Sequence, residues 1–223
     1  MIGRPAFPPI VALRQPLMPQ MGPSEWSSGL QMWLAAEGVS EALLKKNLEV
    51  TPGERLNRFL ECYRSTGAVP KQNFSRSSGM PAEFDPVRLL GVLDEHSVVF
   101  VVVGGIAAVL HGSFLITWDL DVLCPDTSEN RSRVVATFGV GARSPQPSVR
   151  LKFATKLGAV DCEFDSARHR RVSARADTIA LAGNNVSVAC LDDLIEDKAS
   201  PVNQDAQVRL WELVELRELV ASL

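Results

Sequence analysis

The sequence predicts a mixed α/β (α+β) fold, in which a β-sheet is flanked by helices and preceded by a helical N-terminal extension. Three observations lead to this class. Residues 98–103 form a valine-rich run with the length of a buried central strand, and two later segments have the pattern of hairpins. Segments with helical periodicity lie before, between and after these strands, an order typical of a sheet covered by helices.

The N-terminal part is predicted to hold an arm, two helices and a linker. Residues 1–23 are rich in proline and lack periodicity, which favours a flexible or extended arm. Residues 24–38 carry apolar side chains at helical spacing. A second helix at 52–65 begins with a capping threonine, a proline and a glutamate three positions on. We therefore divide the chain into the arm at 1–23, a helical extension with its linker at 24–80, and a main domain at 84–223.

The main domain is predicted to alternate between helices and strands. Asp85-Pro86 begins a helix that ends near residue 95, and the strand at 98–103 leads into a short helix at 106–111. Glycines inside two later segments indicate hairpin turns. The remaining strands are predicted at 119–124, 149–154, 159–164, 178–182 and 185–189, and the remaining helices at 129–138, 191–199 and 204–220.

Composition restricts the functional class. A net charge of −3 gives no overall attraction for nucleic acid, so any such affinity must come from a local basic patch. The four cysteines lack C-x-x-C spacing, which disfavours a zinc site and a disulfide framework, and we expect reduced, mostly buried thiols. No run reaches the ~18 apolar residues of a membrane span, and prolines interrupt the apolar core that a signal peptide needs. We expect a cytoplasmic protein that does not bind membranes.

A candidate phosphate-and-metal site begins where the valine-rich strand ends. Gly104-Gly105 follows this strand, and Asp119-Leu120-Asp121 follows the apolar segment after it. Glycines let the backbone approach a triphosphate, and free amides at a helix N-terminus favour an anion. Asp119 and Asp121 stand two residues apart in a strand, so their carboxylates point to the same face and can share a divalent cation.

A third carboxylate from an adjacent strand would complete such a site. Asp161 is the best candidate, and Glu163 on the same face of the same predicted strand is the alternative. Ser113 and Thr117 are candidates for hydroxyl contacts to the nucleotide. Three further predictions complete the set: Asp126 lies beyond the strand end, His111 is structural, and the last helix belongs to a core or an interface.

The pattern resembles the DNA polymerase β-like nucleotidyltransferase superfamily, in its small bacterial toxin–antitoxin and abortive-infection branches. The matching residues are Gly104-Gly105, the apolar segment 106–110, His111-Gly112, Thr117, Asp119-Leu120-Asp121, Leu191-Asp192-Asp193-Leu194, Lys198 and Asp205. The resemblance covers roughly residues 85–220. It implies a nucleotidyltransferase-fold mixed sheet and a nucleoside triphosphate substrate. It also implies Mg²⁺ or Mn²⁺ on Asp119, Asp121 and Asp161, with Lys198 contacting the nucleotide phosphates or the acceptor.

Two departures from the family pattern bear on activity. Many relatives carry an arginine two positions before the threonine, where this chain has Leu115, and another before the C-terminal aspartate, where it has Val202. Losing both cations is expected to weaken triphosphate binding. Arg168, Arg170 and Arg171 are candidates to supply the missing cations. A wider set of basic residues is predicted to form a basic rim beside the site that binds an RNA or phosphorylated acceptor, unless these residues lie in an unrelated solvated loop. The basic rim comprises Arg143, Arg150, Lys152, Lys156, Arg168, Arg170, Arg171 and Arg175.

Three functional interpretations follow. The first is a metal-dependent nucleotidyltransferase that acts on RNA or protein in a toxin–antitoxin or phage-defence setting, with a cognate toxin or antitoxin as partner. The second is a catalytically inactive binding module of the same fold, favoured by Leu115 and Val202 but disfavoured by intact carboxylates that repel each other without a metal. The third is an unrelated α/β protein, which predicts that Asp119, Asp121 and Asp161 do not converge in space.

Overall fold

The computed structural model describes residues 41–66, 84–114, 117–139, 150–199 and 204–222. The predicted arm, the helix at 24–38, the linker at 68–83, Leu115, Arg143 and Val202 lie outside these residues. The described helices are α1 (Glu41–Leu48), α2 (Pro52–Thr66), α3 (Pro86–Glu95), α4 (Gly104–His111), α5 (Ser128–Phe138), α6 (Ser166–Ser173), α7 (Leu191–Lys198) and α8 (Gln204–Ser222). The described strands are β1 (Val101–Val103), β2 (Asp119–Cys124), β3 (Arg150–Thr155), β4 (Gly158–Phe164), β5 (Asp177–Leu181) and β6 (Asn184–Val188).

The described strands form a mixed sheet in the order β3-β4-β2-β1-β6-β5. β2 pairs in parallel with β4 and antiparallel with β1, and β1 pairs in parallel with β6. β1 lies in the interior of the sheet, and all three of its valines are buried, as expected for a continuous apolar strand. A mixed sheet flanked by helices is the predicted fold class, which the structure confirms. Among the described residues, no helix has the length and apolar character needed to cross a membrane.

Four elements differ from the sequence prediction. Helix α1 (Glu41–Leu48) was not predicted. The strand expected at 98–103 is limited to its last three residues, and α4 begins two residues earlier than expected, at Gly104. Helix α6 was not predicted, because its polar sequence hides the usual apolar stripe. Its start is nevertheless encoded, since the Asp165 side chain caps the amides of Ala167 and Arg168 at 2.9 Å each. The Arg168–Arg171 run therefore lies on a helix and not in a loop.

Helices α1 and α2 belong to the same hydrophobic core as the sheet. Their buried side chains include Leu44, Leu56 and Phe59. The predicted capping box is confirmed: the Thr51 amide donates to Glu54 at 2.9 Å, and the Glu54 amide donates to the Thr51 hydroxyl at 3.3 Å. The described part of the N-terminal extension therefore supports the sheet domain directly.

Arg55 links its own helix, α2, to backbone carbonyl groups of α1 and α4. Its guanidinium donates to the carbonyl oxygens of Asn47 at 3.0 Å, Leu48 at 3.0 Å and Leu110 at 2.7 Å. The first two carbonyls belong to the end of α1, and the third belongs to the last turn of α4. Because Arg contributes several donors in a fixed geometry, this one side chain holds α1 and α2 against the helix that follows Gly104-Gly105.

Replacing Asn130 with alanine is expected to cost about 1–2 kcal/mol of unfolding free energy. The buried Asn130 side chain accepts from the Val99 amide at 2.8 Å and donates to the Val99 carbonyl at 2.9 Å, which ties α5 to the chain entering β1. Urea denaturation measures the loss. The control is Ser132→Ala, whose exposed hydroxyl donates to a carbonyl of its own helix. Equal unfolding midpoints for the two variants would contradict the expected role of Asn130.

Candidate functional site

Three carboxylates converge where β2 and β4 run side by side. Asp119 and Asp121 share one face of β2, and Asp161 is the register partner of Asp121 on β4. One carboxylate oxygen from each residue lies within 4.8 Å of the others. We call these three residues the acid triad. Their convergence is the opposite of what an accidental motif match predicts.

The glycine pair lets the start of α4 lie directly against the acid triad. Gly104 has a φ of +65°, and a Cβ at this position would overlap the Asp121 carboxylate. A Cβ on Gly105 would overlap Thr117, whose buried hydroxyl donates to Asp119 at 3.0 Å. The glycines are therefore required for the approach of backbone to carboxylates, in addition to the phosphate contact that the sequence suggests. The N-cap residue of α4, Val103, makes no side-chain cap hydrogen bond, so it leaves the first amides of the helix available to an anion.

The acid triad has the electrostatics of a cation site. Burial, together with the negative charges of Asp119 and Asp161, raises the pKa of Asp121 to about 7. Three converging carboxylates repel one another unless a proton or a cation compensates them. Carboxylate oxygens are the hard donors that Mg²⁺ and Mn²⁺ prefer. The donor set therefore fits a divalent metal ion.

Two lysines influence the electrostatics of the acid triad. The ammonium of Lys152, on β3, lies 2.5 Å from Oδ2 of Asp161, whose side chain is only 6% exposed. Lys198, in the last turn of α7, lies 3.2 Å from Asp197 and exerts a positive potential that lowers the pKa of Asp121. Lys152 therefore contacts the triad directly, although the sequence predicted it only as part of the basic rim, whereas Lys198 contacts Asp197. The register of the β3–β4 hairpin would have indicated this contact from the sequence, because it pairs Lys152 with Asp161.

Glu163, the alternative third acid, belongs to a separate ion-pair network. It accepts from Arg150 at 2.6 Å and from Arg168 at 2.5 Å, and Arg168 also donates to Asp197 at 2.7 Å. Burial favours a raised pKa for Glu163, but the hydrogen bonds from both arginines outweigh it and leave the pKa below its usual value. This network ties β4 to α6 and α7. Glu163 is therefore already compensated without a metal ion.

Two more arginines of the predicted basic rim pair with acids of α7. Arg171 lies 3.2 Å from Glu196, and Arg175 pairs with Asp193 and lies 3.8 Å from Glu196. These pairs reduce the positive potential that Arg171 and Arg175 offer to a nucleic acid. Asp126 pairs with Arg131 at 2.5 Å, beyond the end of β2 as expected.

Ser113 makes its contact with the C-terminal helix. Its buried hydroxyl donates to Glu212 at 2.6 Å, and the Phe114 amide donates to the same carboxylate at 2.8 Å. Glu212 is fully buried, and this burial raises its pKa. The predicted contact of Ser113 with a nucleotide gains no support from this placement. His111 Nε2 lies 2.8 Å from the Ala189 carbonyl oxygen, in keeping with a structural role.

The N-terminal extension reaches the residue that precedes the acid triad in sequence. The Tyr63 ring of α2 packs on the Trp118 ring at a centroid distance of 5.3 Å and on the Phe84 ring at 5.8 Å. Trp118 lies between Thr117 and Asp119 in the chain. Aromatic packing of this kind restrains the backbone on which the first acid stands. The sequence carried no pairing signal between these distant residues.

Comparisons with known proteins give structural neighbours but no family. No protein-family model matches the chain, and no curated protein matches it. The antibiotic-resistance factor ANT(2'')-Ia is 18% identical, with a TM-score of 0.43 over 61% of this chain and 90% of its own. An antigenic nucleotidyltransferase-like protein from Paracoccidioides brasiliensis is 16% identical, with a TM-score of 0.43 over 60% of this chain and 73% of its own. Because both TM-scores are below 0.5, the functional proposal rests on this chain's own residues.

Proposed function

We propose that this protein is a metal-dependent nucleotidyltransferase that moves a nucleotidyl group from a nucleoside triphosphate to an RNA or protein hydroxyl. The observation that carries the proposal is the convergence of Asp119, Asp121 and Asp161 beside the start of α4. Nucleotidyl transfer depends on charge neutralisation and in-line positioning more than on covalent help from side chains. The site offers groups suited to both tasks.

Each part of the site has a role in this proposal. The acid triad holds Mg²⁺ or Mn²⁺, which supplies charge neutralisation for the triphosphate and the leaving pyrophosphate. The uncapped amides of Gly104 and Gly105 orient the phosphates, aided by the α4 dipole. Lys198 contacts a phosphate or the acceptor. The acceptor hydroxyl attacks the α-phosphorus, pyrophosphate leaves on the opposite side, and a triad carboxylate takes the hydroxyl proton.

The setting of the reaction is proposed from the sequence resemblance. It is a bacterial toxin–antitoxin or phage-defence system, with a cytoplasmic location and a cognate toxin or antitoxin as partner. A second candidate function is an inactive module of the same fold that binds such a partner. The observation that favours it is the ion pair of Asp161 with Lys152, which compensates one triad carboxylate without a metal.

Nucleotidyl transfer is expected to depend on the two β2 carboxylates. The protein is incubated with each α-³²P-labelled nucleoside triphosphate, Mg²⁺ or Mn²⁺, and total bacterial RNA and protein. Asp119→Ala/Asp121→Ala removes two metal ligands and should lower the transfer of label at least about 100-fold. The control Asp126→Ala removes an exposed carboxylate paired with Arg131 and should transfer like wild type.

Two outcomes separate the candidate functions. Label on RNA or on protein, lost in the double variant alone, supports the transferase and identifies its acceptor class. Absence of both transfer and metal-dependent triphosphate binding from the wild-type protein would overturn it in favour of the inactive module.

A further inference from the structure

Lys152 and Asp161 form an ion pair with unequal surroundings. The Lys152 ammonium lies 2.5 Å from Asp161 Oδ2, while the Lys152 side chain is 58% exposed and the Asp161 side chain is 6% exposed. A buried carboxylate needs a partner charge, because desolvation is costly for an isolated ion. An exposed lysine has a flexible stem and can leave its partner at little cost. The pair is therefore fixed on the Asp161 side and movable on the Lys152 side.

We propose that Lys152 is a displaceable internal counter-ion: its ammonium occupies an Asp161 oxygen until a divalent cation binds the acid triad, and the released ammonium then binds the triphosphate. This inference rests on the proposed function, because it assigns the triad to a metal ion. It assigns a role in the site to Lys152, and it couples the binding of the metal ion to the binding of the triphosphate.

The two cations of β3 differ in how firmly they are held. Arg150 pairs with Glu163, which is itself held by Arg168 and is not part of the acid triad. A metal ion on the triad leaves that pair intact. Lys152 instead pairs with the carboxylate that the metal ion requires, as the register of Lys152 opposite Asp161 dictates. Lys152 is thus the β3 cation that metal binding would release.

Charge balance explains why the released lysine would bind phosphate. A triphosphate carries more negative charge than one divalent ion neutralises, and the triad carboxylates add to the excess. The Lys152 ammonium lies at the triad and can supply a further positive charge. Metal binding and triphosphate binding then favour each other, and by linkage the coupling is reciprocal.

The test measures Mn²⁺ affinity without any nucleotide, by calorimetry and by the electron paramagnetic resonance of free Mn²⁺. Lys152→Met removes the competing ammonium and keeps the aliphatic stem, so Mn²⁺ should bind about three- to tenfold more tightly than in wild type. Lys156→Met is the matched control, since Lys156 is an exposed lysine in the turn of the same hairpin and its loss changes the net charge equally. Its affinity should stay within about twofold of wild type.

The second measurement follows binding of the Mn²⁺ complex of inorganic triphosphate, a probe that avoids the unknown base. With the triad saturated by Mn²⁺, Lys152→Met should bind this complex about tenfold more weakly, because the released cation is missing. Lys152→Arg keeps a positive charge and should restore most of the affinity. Circular dichroism melts of all variants establish that each one is folded.

The outcomes distinguish the two proposals. If neither wild type nor Lys152→Met binds Mn²⁺, the acid triad is not a metal site, and both the proposed function and this inference fail. If wild type binds Mn²⁺ and Lys152→Met binds it equally or more weakly, Lys152 is an ordinary structural ion pair and the proposed function stands. Tighter Mn²⁺ binding with weaker triphosphate binding, seen in Lys152→Met and not in Lys156→Met, supports the counter-ion.

Discussion

Asp121→Asn is expected to stabilise the metal-free protein at pH 8 and to abolish metal binding and nucleotidyl transfer. Burial and the charges of Asp119 and Asp161 raise the pKa of Asp121 to about 7, so the ionised carboxylate is unfavourable in the folded protein. Asparagine has a similar shape and carries no charge. The substitution therefore removes repulsion from the fold and a ligand from the metal site.

The pH dependence of stability follows from the direction of this shift. The carboxyl has a reference pKa of 3.8, which we take for the unfolded chain, and titrates near pH 7 in the folded protein. The folded protein therefore binds more protons between these values. The contribution of Asp121 is fully present below about pH 4 and is lost as the pH rises through 7. The full shift corresponds to about 4 kcal/mol, and partial exposure to solvent reduces the expected loss to about 2 kcal/mol.

Urea denaturation in EDTA at pH 5 and pH 8 measures this effect. The difference in unfolding free energy between Asp121→Asn and wild type should grow by about 1 kcal/mol from pH 5 to pH 8, because part of the total loss occurs below pH 5. Adding Mg²⁺ at pH 8 should stabilise wild type and leave the variant unchanged. The control is Asp126→Asn, because Asp126 is exposed and its hydrogen bond from Arg131 lowers its pKa. If the unfolding free energies of wild type and Asp121→Asn change in parallel with pH, folding does not raise the pKa of the Asp121 carboxyl.

Gly104→Ala is expected to destabilise the protein by about 3 kcal/mol and to disrupt the acid triad. The positive φ of +65° is unfavourable for an L side chain by about 1–2 kcal/mol. The new Cβ would also overlap the Asp121 carboxylate, which adds about 1–3 kcal/mol of steric cost. Either the α4 N-terminus or the carboxylate must move. We therefore expect Mn²⁺ affinity to fall together with the unfolding free energy.

Gly91→Ala provides the matched control for this substitution. Gly91 lies within α3, and a Cβ there would meet no atom within 4 Å. Alanine should therefore stabilise the protein by about 0.5–1 kcal/mol through helix propensity, with Mn²⁺ affinity unchanged. Urea denaturation and Mn²⁺ titration of both variants test the pair. If Gly104→Ala unfolds and binds Mn²⁺ like wild type, the close approach of α4 to Asp121 is not required.

Local signals in the sequence were sufficient for most of the secondary structure. Thr51 and Glu54 predicted the start of α2, and Asp85-Pro86 predicted the start of α3. Glycines in the turns predicted two hairpins within a few residues of their observed ends. Helix α6 was not predicted, because its sequence is polar and its main local signal is a single capping residue, Asp165. Short helices and strands depend on local propensity and capping. They can therefore be predicted from the sequence when apolar residues recur clearly at helical or strand spacing.

The sequence by itself also determined which carboxylates are candidates, since alternation along a strand puts Asp119 and Asp121 on one face. The pairing of Asp161 with Asp121 rather than with another strand depends on sheet order, which long-range contacts decide. The same holds for the partners that distinguish similar residues: Glu163 is neutralised by Arg150 and Arg168, and Ser113 is bound by Glu212. The predicted hairpin places Lys152 opposite Asp161, but the burial of the carboxylate that the Lys152 ammonium contacts depends on the assembled sheet. Burial, sheet order and ion pairing are properties of the assembled sheet and its helices, so only the tertiary structure could assign them.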